Sequence, residues 1–488
     1  MSGVRNGAAE EEGLVVALGR ALPPVLPVGH ATAVFCMGTC FHRQRAVTDL
    51  AIVANGARHR PDAWGMPRLD RFEEDPRAYR SGFWATIPIP AQERPGQVEL
   101  TVEARLEGGS TACARIGTIA VVPRQEPARD ARLPEAGARA LIAICMATYN
   151  PDAELFRIQI ESIRGQTDRD WICLISDDCS EANPFEAIRN TVEGDPRFVV
   201  SRADRRQGFY RNFERALNMA PADAELVALS DQDDRWYPDK LEALRAAIGP
   251  AQLAYSDLRR VDEHGEVRAE TLWKGRRRND TNLASLLISN SIPGAACLFR
   301  RQTIERSLPF PDGPGWDFHD HWLAVVALAL GDIAYVDRPL YDYVQHPRAV
   351  LGRVASGQEP PRPLDSFDRW RAAYFSLYLQ REFLARVLLA RCDAELTSRK
   401  RRALRLFIDA TRSPLAFAWL AGRSARALVG RNDTLRVEEV LAKGIVWRHL
   451  IALSAGRREQ PGRFTRDARM PPVNPGAVEQ RQRRWLAP

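Results

Sequence analysis

The sequence predicts an α/β protein whose central domain carries a mostly parallel sheet, between a β-rich N-terminal domain and a C-terminal helical region. Two observations predict this class. From residue 141 onwards, short apolar runs alternate with helical patterns, which is typical of a parallel sheet covered by helices. At 488 residues the chain is also too long for one compact core, and this length favours about three domains.

The first part of the chain predicts a small antiparallel β-sandwich over residues 30–123, preceded by an extension over residues 1–29. Gln97–Leu106 alternates apolar and polar side chains, which is the period of a half-buried strand. Turn signals such as Asn55-Gly56 separate the runs. The predicted strands are Ala33–Phe41, Thr48–Ala54, Gly82–Pro90, Gln97–Leu106 and Ala114–Val122.

The central domain is predicted over residues 141–360, after a polar, proline-containing linker over residues 124–140. Ligands of such sheets bind beyond the carboxyl ends of the strands, so we expect the chemistry there. The predicted strands are Leu141–Met146, Trp171–Ile175, Phe198–Ser201 and Glu225–Leu229. The predicted helices are Leu155–Arg164, Pro184–Val192, Asn212–Met219 and Asp239–Ile248.

The last part of the chain predicts a helical region over residues 361–456 and a disordered tail, rich in Arg and Pro, over residues 457–488. Between Phe367 and Leu388, apolar residues recur at helical spacing with arginines between them. We expect these helices and the tail to rest on an anionic membrane face, a hypothesis from charge and amphipathicity alone.

Composition limits the class of protein without choosing its partner. The 69 Lys and Arg exceed the 62 Asp and Glu, which suits anionic partners such as nucleotide phosphates, lipid headgroups or nucleic acid. The eight cysteines are scattered and several lie in apolar runs, which is typical of buried thiols in a reducing compartment. Cys36, Cys40 and His42 lack a second ligand pair, so packing is favoured over a zinc site.

The sequence predicts a cytoplasmic protein, in peripheral contact at most with the inner face of the membrane. The first residues lack the basic and then apolar layout of a secretory signal. The longest apolar run, Trp322–Leu330, is about half the length of a membrane span.

The strongest local signal is the acidic cluster Ser230-Asp231-Gln232-Asp233-Asp234, which directly follows a predicted strand. In an extended backbone, side chains two residues apart point the same way, so Asp231 and Asp233 can converge on one point. Two converging carboxylates repel each other unless a cation lies between them, and Mg²⁺ or Mn²⁺ is the natural partner. The alternative is an acidic turn, with Asp239 as the cap of the next helix.

A second acidic pair, Asp177-Asp178, follows the predicted strand Trp171–Ile175. Carboxylates at a strand end are well placed to accept hydrogen bonds from a base or a ribose. A turn or helix-cap role is equally compatible with the pair by itself.

Together, an ordered set of motifs resembles the family-2 glycosyltransferases, in particular their rhamnosyltransferase-like bacterial members. The resemblance covers roughly Ala140–Gly352, and the order and spacing of the motifs make it specific. The motifs are Ala147-Thr148-Tyr149-Asn150, Ser176-Asp177-Asp178, Gly208-Phe209-Tyr210-Arg211-Asn212-Phe213, Ser230–Trp236 with Pro238-Asp239-Lys240-Leu241, His319-Asp320-His321-Trp322, and Gln345-His346.

The resemblance implies a GT-A fold and an inverting transfer from a nucleoside-diphosphate sugar to a carbohydrate or lipid-linked glycan. It implies Asp320 as the catalytic base and Mg²⁺ or Mn²⁺ on Asp233, assisted by Asp231. His346 and Arg348 would lie near the leaving phosphates. The residues implied on the donor side are Thr148, Tyr149, Asn150, Asp177, Asp178, Arg211, Asn212 and Asp231. The residues implied on the acceptor side are Trp236, His319 and Trp322.

The chemistry agrees with these roles. A metal ion neutralises the charge that builds on a departing diphosphate, and one carboxylate can take the acceptor proton because the leaving group needs none. Asp320 precedes an apolar run, so we expect it at a helix start, where the dipole favours its ionised form. Without the resemblance, Asp320 reads equally well as a helix cap, and His346 as a structural histidine.

Two positions depart from the family pattern. Cys179 stands where the family often has glycine after the paired aspartates, so we expect that turn to differ slightly. Pro347 follows His346 where glycine is common, which bears on the phosphate contacts more than on the base or the metal site.

Two other classes of function compete with a transferase. In the first, the protein is a non-enzymatic carbohydrate-binding or assembly protein with a retired transferase domain, although retention of both Asp233 and Asp320 argues against this. In the second, it binds nucleic acid, but the basic residues are dispersed and no aromatic platform lies between them. From the resemblance to rhamnosyltransferase-like members, we expect the transferred sugar to be rhamnose from a thymidine donor.

Overall fold

The chain folds into three parts that contact one another: a β-sandwich, a central α/β domain and a C-terminal helical region. The computed structural model describes residues 9–11, 13–123, 141–273, 278–315, 318–346, 366–431, 433–455, 460–461 and 465–471. Within these ranges the predicted fold class is confirmed. The predicted linker, residues 124–140, lies outside the described residues.

The β-sandwich consists, in the described residues, of two five-stranded sheets in the orders β1-β2-β4-β8-β7 and β3-β10-β9-β5-β6. Apolar side chains alternate into the space between the sheets, as Val98, Leu100 and Val102 of β9 do. The strands are β1 (Ala9–Glu11), β2 (Leu14–Leu18), β3 (Val25–Pro27), β4 (Thr32–His42), β5 (Val47–Ala54), β6 (Ala57–His59), β7 (Ala63–Met66), β8 (Gly82–Ile89), β9 (Gly96–Leu106) and β10 (Thr111–Val122). A short helix, α1 (Leu69–Phe72), follows β7.

The sandwich begins earlier than predicted. Residues 1–29 were expected to be an extension, yet β2 pairs with β4 along Leu14–Leu18, and Leu14 and Val16 are buried in the core. β2 is a short apolar run of five residues, and it is pairing with the distant β4 that makes it part of a sheet. The five predicted strands correspond to β4, β5, β8, β9 and β10.

The central sheet begins with four parallel strands in the order β13-β12-β11-β14. The chain order therefore reverses between β11 and β14, which creates a crevice at their carboxyl ends. All four strands were predicted from their apolar runs, and β11, β12 and β14 are buried on both faces. They are β11 (Ile142–Thr148), β12 (Trp171–Asp177), β13 (Phe198–Arg202) and β14 (Leu226–Ser230).

The other half of this sheet is mixed. Strand β18 pairs antiparallel with β14 and with β16, whereas β16 and β19 are parallel to each other. This half makes the sheet nine-stranded in the described part of the chain. Its strands are β15 (Arg235–Trp236), β16 (Leu253–Asp262), β17 (Val267–Ala269), β18 (Cys297–Arg300) and β19 (Ile333–Gln345).

Helices cover the central sheet. The four predicted helices correspond to α2–α5, and α8 contains the apolar run Trp322–Leu330, which is almost completely buried. The helices of this domain are α2 (Ala153–Arg164), α3 (Ala182–Val192), α4 (Phe209–Asn218), α5 (Lys240–Ile248), α6 (Leu283–Ile288), α7 (Arg301–Ser307) and α8 (His319–Leu330).

The C-terminal region is helical, as predicted, but its apolar residues between Phe375 and Leu388 lie in the core rather than at the surface. Phe375, Leu384 and Leu388 are buried, so the expected membrane face is not there. In the described residues, no helix is long and apolar enough to cross a membrane. The helices are α9 (Ser366–Ala373), a π-helical turn (Tyr374–Tyr378), α10 (Leu379–Cys392), α11 (Ser398–Ile408), α12 (Pro414–Gly422) and α13 (Val437–Ala455).

Part of the predicted disordered tail is ordered. Residues 465–471 run along the sandwich, where the Ala468 backbone N–H donates to the Pro67 carbonyl at 2.9 Å. The Tyr79 hydroxyl lies 3.2 Å from the Thr465 hydroxyl. Ala468 is buried by this contact. Residues 472–488 lie outside the described residues.

Candidate active site

The predicted site residues gather at the carboxyl ends of β11, β12 and β14. Thr148, Asp177 and Ser230 are the last residues of these three neighbouring strands. This is the edge at which the strand order reverses, and it is where open α/β sheets bind ligands. The chain therefore brings its polar motifs to one crevice.

The paired aspartates lie at this edge but are buried and hydrogen-bonded within the protein. Asp177 accepts hydrogen bonds from the Thr148 hydroxyl at 3.2 Å and from the Ser180 backbone N–H at 2.9 Å. Asp178 accepts from the backbone N–H groups of Gln207 and Gly208 at 2.6 and 2.8 Å. In this structure both carboxylates fix loops around the crevice.

Tyr149 and Asn150 form the loop after β11. The Tyr149 backbone N–H donates to Gln232 Oε1 at 2.8 Å, which ties this loop to the acidic cluster. The Arg206 guanidinium lies over the Tyr149 ring, 4.1 Å from its centroid. Asn150 accepts from the Glu181 backbone N–H at 2.8 Å. The Tyr149 ring and the Arg206 guanidinium thus offer an aromatic surface and a cation at the crevice.

Arg211 and Asn212 of α4 hold the scaffold together. The buried Asn212 amide donates to the Thr148 and Ser176 carbonyls at 3.1 and 2.9 Å, and so joins the ends of β11 and β12. Arg211 donates to Glu214 at 2.6 Å and to the Phe310 carbonyl at 3.1 Å. Both were predicted on the donor side, but these contacts give them a structural role.

Cys179 adopts a glycine-like backbone conformation, at the position where the family pattern often has glycine. Its φ of 61° is in the left-handed region, which glycine adopts readily and other residues adopt at a cost. The turn after the paired aspartates is therefore kept, with cysteine in a glycine-like conformation. The Cys179 thiol lies 3.7 Å from the Asp204 carbonyl oxygen.

The acidic cluster follows β14 directly. Asp233 Oδ2 lies 2.8 Å from His346 Nε2, at the end of β19, and this contact raises the pKa of His346. Asp231 is half-buried; desolvation, and then the charges of Asp233 and Asp320, raise its pKa to about 7. Arg348 and Pro347 lie outside the described residues.

Lys240 is a buried cation beneath the cluster that the sequence analysis missed. Its ammonium donates to the Ala295 carbonyl at 2.5 Å and lies 3.6 Å from the Trp236 ring centroid. Burial lowers the pKa of Lys240, whereas the charges of Asp234 and Asp231 oppose that shift. Its spacing in the sequence could have indicated this burial, because Lys240 shares a helix face with the buried Leu244 and Ile248 at spacings of four.

Asp234 completes the buried part of the cluster. Its Oδ1 accepts from the Val344 backbone N–H at 3.3 Å, and burial holds its pKa well above the usual range. The predicted cap residue, Asp239, does occupy the N-cap of α5, but its side chain pairs with Arg338 instead of capping.

Asp320 is the second residue of α8, in agreement with its predicted position at a helix start. Desolvation raises its pKa to about 6, and hydrogen bonds from backbone N–H groups, including that of Gly294, oppose the shift. Gly294 packs so closely that a Cβ there would lie 3.3 Å from the Asp320 Cβ. Because the Asp320 charge also acts on Asp231, the two carboxyl groups face the same region.

The predicted acceptor residues separate into one near the site and two in the core. His319 is half-buried beside Asp320 and stacks on the Phe213 ring, with centroids 3.7 Å apart. Trp322 is 1% exposed and donates to the Ser307 carbonyl at 2.9 Å, and Trp236 is 2% exposed. Burial leaves both indoles without a surface for an acceptor, so their predicted role finds no support here.

The cluster suits a divalent ion that is shared with a ligand. In the part of the chain that the structure describes, no three His, Cys, Asp or Glu side chains form a complete metal cage. Mg²⁺, however, is usually held by one or two carboxylates together with substrate phosphates. Asp231 and Asp233 are two carboxyl groups that could form such a pair, and carboxylate oxygen is a ligand that both Mg²⁺ and Mn²⁺ accept.

The His42 ring, by contrast, has an evident structural role. Its Nδ1 accepts hydrogen bonds from the backbone N–H groups of Gln44 and Arg45, both at 3.1 Å, and so holds the turn after β4. Cys36 and Cys40 are buried, and burial raises the pKa of each thiol to about 12. Cys113, expected among the buried thiols, is exposed on β10.

The α/β fold, with its mixed sheet and polar strand ends, is that of a GT-A-like glycosyltransferase. Residues 143–307 match the family model "Glycosyl transferase family 2", so the chain carries a domain of that family from β11 to α7. The matched region contains the paired aspartates and the acidic cluster, whereas Asp320 and His346 follow it.

Two curated relatives are similar over about a quarter of the chain. A stretch of 129 residues is 30% identical to the uncharacterized protein y4gI of Sinorhizobium fredii, covering 26% of this chain and 14% of that protein. A stretch of 134 residues is 27% identical to the uncharacterized glycosyltransferase MJ1057 of Methanocaldococcus jannaschii, covering 27% and 46%. The chain therefore matches less than half the length of each relative.

Solved structures are similar over a larger share of the chain at low identity. TarS residues 1–349 of S. aureus, in complex with UDP-GlcNAc, are 15% identical, with a TM-score of 0.40 and coverage of 64% of this chain and 91% of that one. The mannosyltransferase PcManGT of Pyrobaculum calidifontis, in complex with GDP-Man and Mn²⁺, is 21% identical, with a TM-score of 0.34 and coverage of 66% and 89%.

Proposed function

We propose that the protein is an inverting, metal-dependent glycosyltransferase acting in surface polysaccharide synthesis. It transfers a sugar from a nucleoside diphosphate to a hydroxyl group of a carbohydrate or lipid-linked glycan. The observation that carries the proposal is that the acidic cluster directly follows β14 at the carboxyl edge of the sheet, where Asp233 lies 2.8 Å from His346 and the charges of Asp233 and Asp320 both act on Asp231. The family-2 match over residues 143–307 supports the same class of reaction.

Asp320 serves as the base in this proposal. Its carboxylate accepts the proton of the acceptor hydroxyl while that oxygen attacks the anomeric carbon from the face opposite the diphosphate, which inverts the configuration. The bond from the anomeric carbon to the diphosphate oxygen breaks as the new bond forms. A second acid is unnecessary, because the diphosphate leaves as an anion.

Asp231 and Asp233 would hold a divalent ion on the donor side of the site. A bound Mg²⁺ or Mn²⁺ would supply positive charge against the departing diphosphate. The Lys240 ammonium offsets part of the charge of Asp231 and Asp234 from the buried side of the cluster. This keeps the cluster's carboxylates available at the crevice. His346, against Asp233, lies on the phosphate side.

The nucleoside lies beside the loop after β11 in this arrangement. The Tyr149 ring offers a stacking surface, and the Arg206 guanidinium over it offers a cation close to the diphosphate. Rhamnose from a thymidine donor is the first donor that we propose to test, on the likeness of the motifs to rhamnosyltransferase-like members.

A donor screen tests the proposal. Purified protein is incubated with uridine, guanosine and thymidine diphosphate sugars, with Mg²⁺ or Mn²⁺, and released nucleoside diphosphate is measured. We expect release from one donor, lost when the metal is chelated and in Asp233→Asn. Thermal unfolding with the same donors measures binding separately. Absence of both release and binding across the panel would contradict the proposal.

A further inference from the structure

The C-terminal helices expose an unusual amount of aliphatic surface. In the part of the chain that the structure describes, seven large hydrophobic side chains are strongly exposed, and five of them lie between residues 415 and 453. At the upper end of the range, Leu415 and Leu428 are 82% and 83% exposed. The five residues are Leu415, Leu428, Val429, Leu450 and Leu453. Such clustering on a folded domain marks an interaction surface.

Part of this surface adjoins a groove. On α13, Ala442, Val446 and Leu450 follow one another at spacings of four and so lie on one helix face, with Leu453 one turn further. A groove of about 430 Å³ is lined by Glu439, Ala442, Lys443 and Val446 from α13, by Ala421 and Ser424 from the end of α12 and the turn after it, and by Trp370 of α9. The exposed Leu450 and Leu453 therefore continue the helix face that lines the groove.

Positive charge predominates around this surface. Among the described residues of 412–455, the acidic side chains Asp433, Glu438 and Glu439 are buried or paired with arginine. The exposed basic residues are Arg412, Arg431, Arg436 and Lys443, of which Arg412 pairs with Asp62 and Arg436 with Glu439. Lys443 lines the groove, and Arg431 follows Val429 by two residues, so these two cations are placed to contact an anionic partner.

We propose that this surface, called the 412–455 face, docks the protein onto an anionic phospholipid membrane. Aliphatic side chains of Leu428, Val429 and Leu453 enter the boundary between headgroups and acyl chains, and the flanking cations contact lipid phosphates. Since no helix in the described residues is both long and apolar enough to cross a bilayer, we place the face on the membrane rather than across it. The proposal rests on exposure and charge, independently of the proposed transferase activity.

Vesicle flotation of the full chain tests this docking. We expect binding to vesicles of phosphatidylglycerol and phosphatidylcholine, weaker binding to phosphatidylcholine alone, and weaker binding at raised salt. The combined change Leu428→Ser, Val429→Ser and Leu453→Ser should lower the partition coefficient at least about tenfold. The matched control is Val25→Ser with Val267→Ser, because these two exposed valines lie outside the face and should leave binding unchanged.

A second pair of changes separates the contribution of charge. Arg431→Gln with Lys443→Gln should weaken binding to the anionic vesicles by about fivefold for each charge and leave binding to phosphatidylcholine unchanged. Light scattering of each variant reports the oligomeric state. Equal binding of parent and triple variant overturns the proposal, as does absence of binding to either vesicle. A dimer that the triple variant dissociates assigns the face to a second copy instead.

Discussion

At the scale of single residues, Asp320 carries the sharpest prediction. The change Asp320→Asn keeps the size and the helix-start position of the side chain but removes its ability to accept a proton. We expect kcat to fall at least about a hundredfold, because general-base catalysis contributes that order of rate. Donor binding, measured by thermal shift, should stay unchanged. An Asp320→Asn variant with near-parental turnover would remove Asp320 from the mechanism.

The pH dependence of turnover follows from the same carboxyl group. Desolvation raises the pKa of Asp320 to about 6, and a base acts only when ionised. Activity should therefore be fully present above this pKa and fall as the pH drops through it, by about tenfold per unit. Initial rates of kcat/KM across this range measure the effect. A profile that is flat down to about pH 4, the ordinary range of a carboxyl, would contradict the raised pKa.

Cys179 predicts a gain in stability. Its φ of 61° is costly for cysteine and free for glycine, although glycine also loses more entropy on folding. We expect Cys179→Gly to raise the free energy of unfolding by about 0.5–1 kcal/mol, measured by denaturant titration. As a control, Cys113→Gly on β10 should lower it, since strand interiors disfavour glycine. Loss of stability in Cys179→Gly would show that the thiol contact with Asp204 outweighs the backbone term.

At the scale of elements, the segment Gly294–Ala296 links two charged groups of the site. The Gly294 backbone N–H faces Asp320, and the Ala295 carbonyl accepts from Lys240. In Gly294→Ala, the new Cβ would lie 3.0 Å from His319 Nε2 and 3.3 Å from the Asp320 Cβ, so both must move.

We expect Gly294→Ala to lower kcat about tenfold, because small displacements of a catalytic group are costly to the rate. Its thermal midpoint should change little. Gly96→Ala is the matched control, since nothing lies within 4 Å of the Cβ there and its backbone is extended. Comparing initial rates of the two variants measures the effect, and equal rates would show that Asp320 tolerates the displacement.

The central elements were predictable because the signal is local. Strands β11, β12 and β14 are buried apolar runs, and the polar motif after each of them must lie at the same sheet edge. Lys240 was not recognised, because a lysine at a helix start is usually solvated and its burial depends on the distant Ala295 carbonyl. The burial of Trp322 likewise depends on contact with Ser307, which spacing in the sequence does not encode.

At the scale of the whole molecule, the order of the domains was predictable but their contacts were not. Strand β2 joins the sandwich through β4, and residues 465–471 rest on it near Pro67, although neither segment has a strong local pattern. Arg391 of α10 donates to the Ala31 carbonyl at 2.9 Å and to the Ser307 carbonyl at 2.8 Å, so it joins all three parts. Such contacts between segments that are far apart in the sequence are fixed by the tertiary structure.

A buried ionic cluster fastens the sandwich to the C-terminal helices. Asp62, between β6 and β7, accepts hydrogen bonds from Arg386 at 2.9 Å and from Arg412 at 2.8 Å. Glu382 of α10 pairs with the same Arg386. Asp62 and Glu382 are almost completely buried, so each arginine depends on them for its compensating charge.

Removing Asp62 should therefore weaken the whole assembly. We expect Asp62→Ala to lower the free energy of unfolding by about 3–5 kcal/mol, because it leaves Arg412 without its buried partner and Arg386 with Glu382 alone. The control Glu186→Ala removes an exposed ion pair with Arg189 and should cost less than about 1 kcal/mol. Denaturation followed both by tryptophan fluorescence and by circular dichroism measures the loss. If the sandwich and the helices act as one unit, both signals should shift together. A shift confined to one signal would mean that the two parts unfold separately and that the Asp62 cluster does not couple them.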